Sequence, residues 1–235
     1  MKGQVPVPVS HPSYPSSCAG KSSRDLPRIM LADDHPMVLE GVAKLVEDFG
    51  VVVGKVEDGR LLIEVASHLN PDVVIMDISM PSLNGLESAR HLQKLVPRSK
   101  IIFLTMHADP AYITAAFEAG ASGYLMKRSA GSELQLAVKT VLAGRRYVTP
   151  LALRGEVSLN DFLGGEKSLF KLLIPRQREV LQLIAEGRST KAIATLLNIS
   201  TKTVEFHKAK VMETLGMHTI PELTQFAVAQ GLVEK

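Results

Sequence analysis

Five short apolar runs recur along the chain, Ile29–Ala32, Val51–Val56, Val73–Met76, Ile101–Thr105 and Gly123–Met126, separated by helix-length amphipathic stretches. Five β/α units of this kind predict a parallel sheet wrapped by helices over 28–149. Beyond that the strand pattern stops. Pro175–Gly187, Thr190–Leu197, Thr201–Leu215 and Pro221–Gly231 read as helices, which predicts a small all-α domain over 170–235. Between them, 150–169 reads as a linker containing Gly155, Gly164 and Gly165, with apolar anchoring at Leu169–Leu173. Residues 1–27 carry prolines 6, 8, 12, 15 and 27 among many serines and read as a disordered extension.

Composition narrows the class. A chain of 235 residues can bury two modest cores, and 46% hydrophobic with 22% charged residues is ordinary for a globular protein. The single cysteine, Cys18, excludes an internal disulfide framework and a cysteine-based zinc site, and a reducing, cytoplasmic setting is expected. The longest apolar runs fall far short of the roughly 20 residues that span a bilayer, and no secretory h-region follows Lys2, so no membrane association is expected. Charge is uneven: residues 166–235 hold ten basic against seven acidic side chains, which is compatible with a nucleic-acid partner.

Candidate chemistry gathers where the predicted strands end, the usual ligand position in an open α/β sheet. Asp33 and Asp34 follow the first strand, Asp77 the third and Lys127 the fifth, while Thr105 closes the fourth. One acidic strand end commonly just caps the next helix; five converging polar ends point to a site. Clustered carboxylates repel unless a cation neutralises them, and an oxygen-only donor set favours Mg²⁺ over zinc. Asp77 could then serve as nucleophile, with lysine and hydroxyl stabilising a transferring phosphoryl group, to give an aspartyl phosphate.

The segments Leu31-Ala32-Asp33-Asp34-His35-Pro36, Met76-Asp77-Ile78-Ser79-Met80-Pro81-Ser82-Leu83-Asn84-Gly85, Leu104-Thr105-Met106-His107 and Gly123-Tyr124-Leu125-Met126-Lys127 resemble a two-component receiver domain. That resemblance implies a five-stranded, doubly wound, flavodoxin-like receiver with Asp77 as phosphoacceptor. It further implies Mg²⁺ held by Asp33, Asp34, Asp77 and the Ser79 backbone carbonyl, Lys127 on the phosphate, and Thr105 with Tyr124 as the switch pair. Tyr124 also has a plain packing role open to it beside the fifth strand. Met106 stands where many receivers have a smaller residue and is expected to narrow access, while Ser79 and His107 stand where side chains can help or hinder the hydrolytic water.

In the C-terminal third, a helix over Thr201–Leu215 would turn Val204, Val211 and Leu215 to one side within about 20°, as a core stripe. Lys202, Glu205, Phe206, Ala209, Lys210 and Glu213 then face outward. An exposed phenylalanine flanked by lysines suits a thymine methyl in a major groove, although chance exposure is common. Ser189 and Ser200 are good N-caps separated by a short Asn198-Ile199 link, and lysine-bearing helix starts such as Ser189-Thr190-Lys191 suit phosphate oxygens. Pro175-Arg176-Gln177-Arg178-Glu179-Val180-Leu181, Ile184-Ala185-Glu186-Gly187 and Thr203-Val204-Glu205-Phe206-His207 resemble the LuxR-type DNA-binding domain. This implies base contacts from Glu205, Phe206 and Ala209, and mainly backbone contacts from Lys202, Thr203, Lys208 and Lys210. Two departures stand out: Ile174 replaces the usual threonine cap, and Glu205 replaces a frequent lysine. His207, about 60° from the core stripe, is expected to be a structural hydrogen-bonding residue and not a metal ligand.

Receiver followed by LuxR-type domain is the architecture of NarL/FixJ-type response regulators. It implies a transcription regulator phosphorylated on Asp77 by a sensor histidine kinase, a homodimer when phosphorylated, double-stranded DNA and RNA polymerase as partners, and no metabolic activity. Two other readings remain at this level. An aspartate-dependent phosphatase would need a second acid where Ser79 stands, and a phosphorylation-independent DNA-binding protein would use its receiver only as a dimerisation module.

Overall fold

The computed structural model describes residues 26–150, 172–230 and 232–233. The expected disordered extension, apart from its last two residues, and almost all of the expected linker lie outside them. The first domain alternates β1 (Arg28–Ala32), α1 (Pro36–Val46), β2 (Val51–Val56), α2 (Gly59–Leu69), β3 (Val73–Met76), α3 (Gly85–Leu95), β4 (Lys100–Thr105), α4 (Pro110–Glu118), β5 (Gly123–Met126) and α5 (Ala130–Leu142). All strand pairings among the described residues are parallel, in the order β2-β1-β3-β4-β5 and then β6 (Tyr147–Val148). The sheet therefore has six strands among the described residues, not five. The added β6 (Tyr147–Val148) is two residues long, too short to leave a periodic signal. It is held by pairing with Gly123 and Tyr124 and by a Tyr147 hydroxyl bond to Glu133 on α5.

The continuous apolar runs have the expected cause. β3 and β5 are buried along their whole length, because each face of the sheet carries its own core. Register then aligns the strand ends. Ala32 pairs with Met76, and Thr105 with Met126, so Asp33, Asp77, Thr105 and Lys127 emerge together at the carboxyl edge.

The second domain comprises α6 (Pro175–Ala185), α7 (Thr190–Leu197), α8 (Thr201–Leu215) and α9 (Ile220–Ala229), around a core that includes Val180, Leu183, Ile193, Val204, Val211 and Leu223. Ser189 and Ser200 accept the Ala192 and Thr203 backbone N–H groups as expected. Asn198 closes α7 in the left-handed region at φ 52°, which turns the chain sharply into α8. At the start of α6, Ile174 provides no side-chain cap, and Gln177 Oε1 accepts the Ile174 N–H at 2.9 Å in its place.

The two domains meet where α6 lies along the loop from β3 to α3. Gln182, fully buried, accepts from the Asn84 N–H at 2.8 Å and from Asn84 Nδ2 at 3.1 Å, and its Nε2 donates to the Met80 carbonyl at 2.9 Å. Glu186 accepts the N–H of Ser82, whose φ of 64° turns that group outward from the loop. Beside them Arg178 reaches Glu87, and Arg60 reaches Glu179, each at 3.0 Å. Gly85 seals the other side of the loop, since a methyl there would overlap the Asp77 carbonyl oxygen.

Two outcomes follow from this junction. Gly85→Ala should destabilise the first domain by about 1–3 kcal/mol through overpacking, read as a lower urea midpoint. Gln182→Ala strands buried amide and carbonyl groups and should cost about 1–3 kcal/mol of domain contact, read in calorimetry as unfolding that splits into two transitions.

Candidate functional site

At the carboxyl edge of the sheet one ammonium serves two carboxylates. Lys127 Nζ lies 2.7 Å from Asp33 Oδ2 and 2.7 Å from Asp77 Oδ2. Asp77 is 2% exposed, and its other oxygen accepts the Ile78 N–H at 2.6 Å. Burial pushes the Asp77 carboxyl above the usual range, opposed by Lys127. For Lys127 burial acts downward, but Asp77 and Asp33 outweigh it and hold the ammonium above its ordinary value. The outcome is a desolvated carboxyl group held at both oxygens, by Lys127 on one and by the Ile78 N–H on the other.

Asp34 completes the acidic group, and sequence reasoning missed one member. His35 Nδ1 lies 3.2 Å from Asp33 Oδ1 and 2.8 Å from Asp34 Oδ1, so the cluster is not purely oxygen-based as expected. Asp34, foremost, raises the His35 pKa. His35 directly follows the two aspartates, which was the available signal. Asp34 Oδ1 remains buried without a properly directed hydrogen bond, as an oxygen suited to a cation would be.

The expected switch residues converge on His107. Thr105 is fully buried and its hydroxyl accepts the His107 N–H at 3.3 Å. Tyr124 is equally buried, its hydroxyl donates to the His107 carbonyl at 2.8 Å, and burial raises its pKa. The His107 ring stacks on Tyr112 at 4.3 Å and reaches Ser79 Oγ at 3.2 Å. Met106 is 65% exposed and lies at the surface. A cleft of about 520 Å³ opens from Asp34 and Ser79, and its far wall is Glu186 and Arg188 of the second domain.

On α8 the helical wheel holds. Val204, Val211 and Leu215 are buried, while Lys202, Glu205, Phe206, Ala209 and Lys210 are exposed, Phe206 by 58%. Thr203 is half-buried and its hydroxyl lies 2.8 Å from Ser200 Oγ. Among the cations expected at a DNA backbone, Lys210 pairs with Glu213 at 2.6 Å and Lys208 with Glu205 at 3.6 Å. His207 corrects the expectation for it: its Nδ1 is buried with no hydrogen-bond partner, its ring packs edge-on against Phe206, and burial lowers its pKa. The residues of the domain junction, Gln182, Glu186 and Arg178, also went unrecognised as such, because nothing in their spacing distinguishes them from a solvated helix face.

Comparison with known proteins agrees with both domains. Residues 29–139 match the response regulator receiver domain family, and residues 171–227 match the bacterial regulatory proteins of the luxR family. The chain is 36% identical over 218 residues to the oxygen regulatory protein NreC of Staphylococcus haemolyticus, covering 88% of this chain and 99% of that one. It is 33% identical over 212 residues to the transcriptional regulatory protein MctR of Rhizobium johnstonii, covering 88% and 96%. Among solved structures, RcsB of Salmonella typhimurium superposes with a TM-score of 0.60 at 30% identity, covering 87% and 98%. A complex of the response regulator RcsB with DNA matches with a TM-score of 0.54 at 30% identity, covering 87% and 99%. With one end built as a receiver and the other as a LuxR-type DNA-binding domain, the chain belongs to the two-component response regulators that control transcription.

Proposed function

We propose that Asp77 accepts a phosphoryl group from the phosphohistidine of a sensor kinase, and that this modification governs dimerisation and DNA binding. The observation that carries the reading is the Lys127 ammonium, 2.7 Å from both Asp33 and Asp77, beside the Asp34 carboxylate. An Asp77 carboxylate oxygen attacks phosphorus in line, the bond from phosphorus to the donor nitrogen breaks, and the donor imidazole departs. Lys127 then turns to the equatorial phosphoryl oxygens. Asp33, Asp34, Asp77 and the Ser79 carbonyl would hold Mg²⁺, which supplies positive charge where the phosphoryl and carboxylate charges crowd together.

Thr105 gives up the His107 N–H for a phosphoryl oxygen, and Tyr124, bonded to the same residue, responds in turn. The loop from Asp77 to Asn84 is held by Gln182 and Glu186, so a shift at the acceptor reaches α6 through hydrogen bonds. A symmetric homodimer in the cytoplasm would then set two copies of α8 on inverted half-sites of double-stranded DNA, with Ser189, Lys191, Lys202, Thr203, Lys208 and Lys210 at the backbone and Glu205, Phe206 and Ala209 at base edges, where it would engage RNA polymerase.

Acetyl phosphate with Mg²⁺ should add one phosphoryl mass to the wild type and none to Asp77→Asn, with a shift toward dimer in size-exclusion chromatography only where the adduct forms. Unchanged DNA affinity in Asp77→Asn under phosphorylating conditions would favour a receiver that acts only as a dimerisation module. Mg²⁺ alone at ten times its Kd should stabilise the wild type by about 1.4 kcal/mol in thermal unfolding, an effect that Asp34→Asn should largely abolish.

A further inference from the structure

One side chain on the outward face of α8 is already occupied. Glu205 Oε1 accepts a hydrogen bond from Thr190 Oγ1 at 2.7 Å, and Glu205 Oε2 lies 3.6 Å from Lys208 Nζ. Thr190 is the first residue of α7, and Lys208 stands one turn beyond Glu205 on α8, so a single carboxylate joins the two helices of the helix-turn-helix. Hydroxyl and ammonium groups are the donors that ordinarily take DNA phosphate oxygens. Here an internal anion holds one of each. The other acidic residue on this face, Glu213, differs: its pairing with Lys210 spans three residues within α8.

We infer that Glu205 is a specificity-determining residue that stands in for a DNA phosphate, holding Thr190 and Lys208 until a half-site offers the carboxylate a cytosine N4 amino group. The inference rests on reading α8 as the helix that enters the major groove. On arbitrary sequence, the carboxylate repels the backbone and leaves Lys208 neutralised, so Glu205 lowers affinity everywhere. At a cytosine, the carboxylate accepts from N4 and Lys208 turns to a phosphate. Because an exposed ion pair is weak, the exchange is accessible at room temperature. Glu205 therefore acts by penalising wrong sequences as well as by favouring the right one.

The test uses the full chain with a pool of random-sequence duplexes, selected in parallel by the wild type and Glu205→Gln, and then anisotropy titrations of the selected duplex and a random duplex at several salt concentrations. The wild type should enrich half-sites that share a cytosine, and E205Q should lose that requirement at that position alone. E205Q should also bind the random duplex about three- to tenfold tighter, with a salt dependence steeper by about one phosphate contact. Lys208→Gln in the wild-type background should weaken the selected duplex and leave the random duplex unchanged. Identical motifs and salt slopes for the wild type and E205Q, or equal weakening of both duplexes by K208Q, would overturn the inference while leaving DNA binding intact. A wild type that binds neither duplex would overturn the reading of α8 itself, and this inference with it.

Discussion

Lys127 is the charge on which the first domain's active edge depends. The parallel register of β1 against β3 sets Asp33 and Asp77 at neighbouring strand ends, where both are nearly inaccessible to water. Unit charges 4 Å apart interact by about 4 kcal/mol at an effective dielectric of 20, so buried carboxylates this close are tolerated only with a counter-charge. Lys127 supplies it to both at 2.7 Å. The arrangement leaves Asp77 desolvated, with the Lys127 ammonium on one oxygen and the Ile78 N–H on the other.

That edge is joined to the second domain through a very short piece of chain. Asp77 and Asn84 bound a loop whose backbone groups cannot all bond within it. Gly85 has no side chain because the Asp77 carbonyl fills its space, and Asn84 both caps α3 through the Glu87 N–H and donates to Gln182. The same loop therefore touches Asp77 at one end and α6 along its length. Arg178 and Glu87 add a charge-assisted bond beside it, and Arg90 pairs with the same Glu87 carboxylate. The contact between the domains thus includes hydrogen bonds and ion pairs gathered at one loop.

The second domain separates stability from recognition by helical period. Val204, Val211 and Leu215 anchor α8, which releases the opposite face from any packing duty. Phe206 can therefore remain exposed, and Glu205 can be held by Thr190 without disturbing the core. Ile174 illustrates the tolerance of such a small domain, because Gln177 recovers a hydrogen bond at the start of α6 where the side-chain cap is missing.

Patterns that repeat at the period of a strand or a helix were legible in the sequence: the α/β then all-α order, the core stripe of α8, the serine caps, and the gathering of Asp33, Asp34, Asp77, Thr105 and Lys127 at strand ends. The elements, the stripe and the caps depend on near neighbours in the chain, so local chemistry determines them. The site residues were legible because each stands at a strand end, and parallel strands end on one edge. The two-residue β6, the place of His35 among the carboxylates, the convergence of Thr105, Tyr124 and Ser79 on His107, and the orphaned Nδ1 of His207 were decided by tertiary structure. So were the bonds from Gln182 to Asn84 and from Thr190 to Glu205, which join residues 98 and 15 positions apart. Such contacts depend on the direction of a side chain relative to a distant partner, and that direction exists only once the strands are in register and the helices are packed.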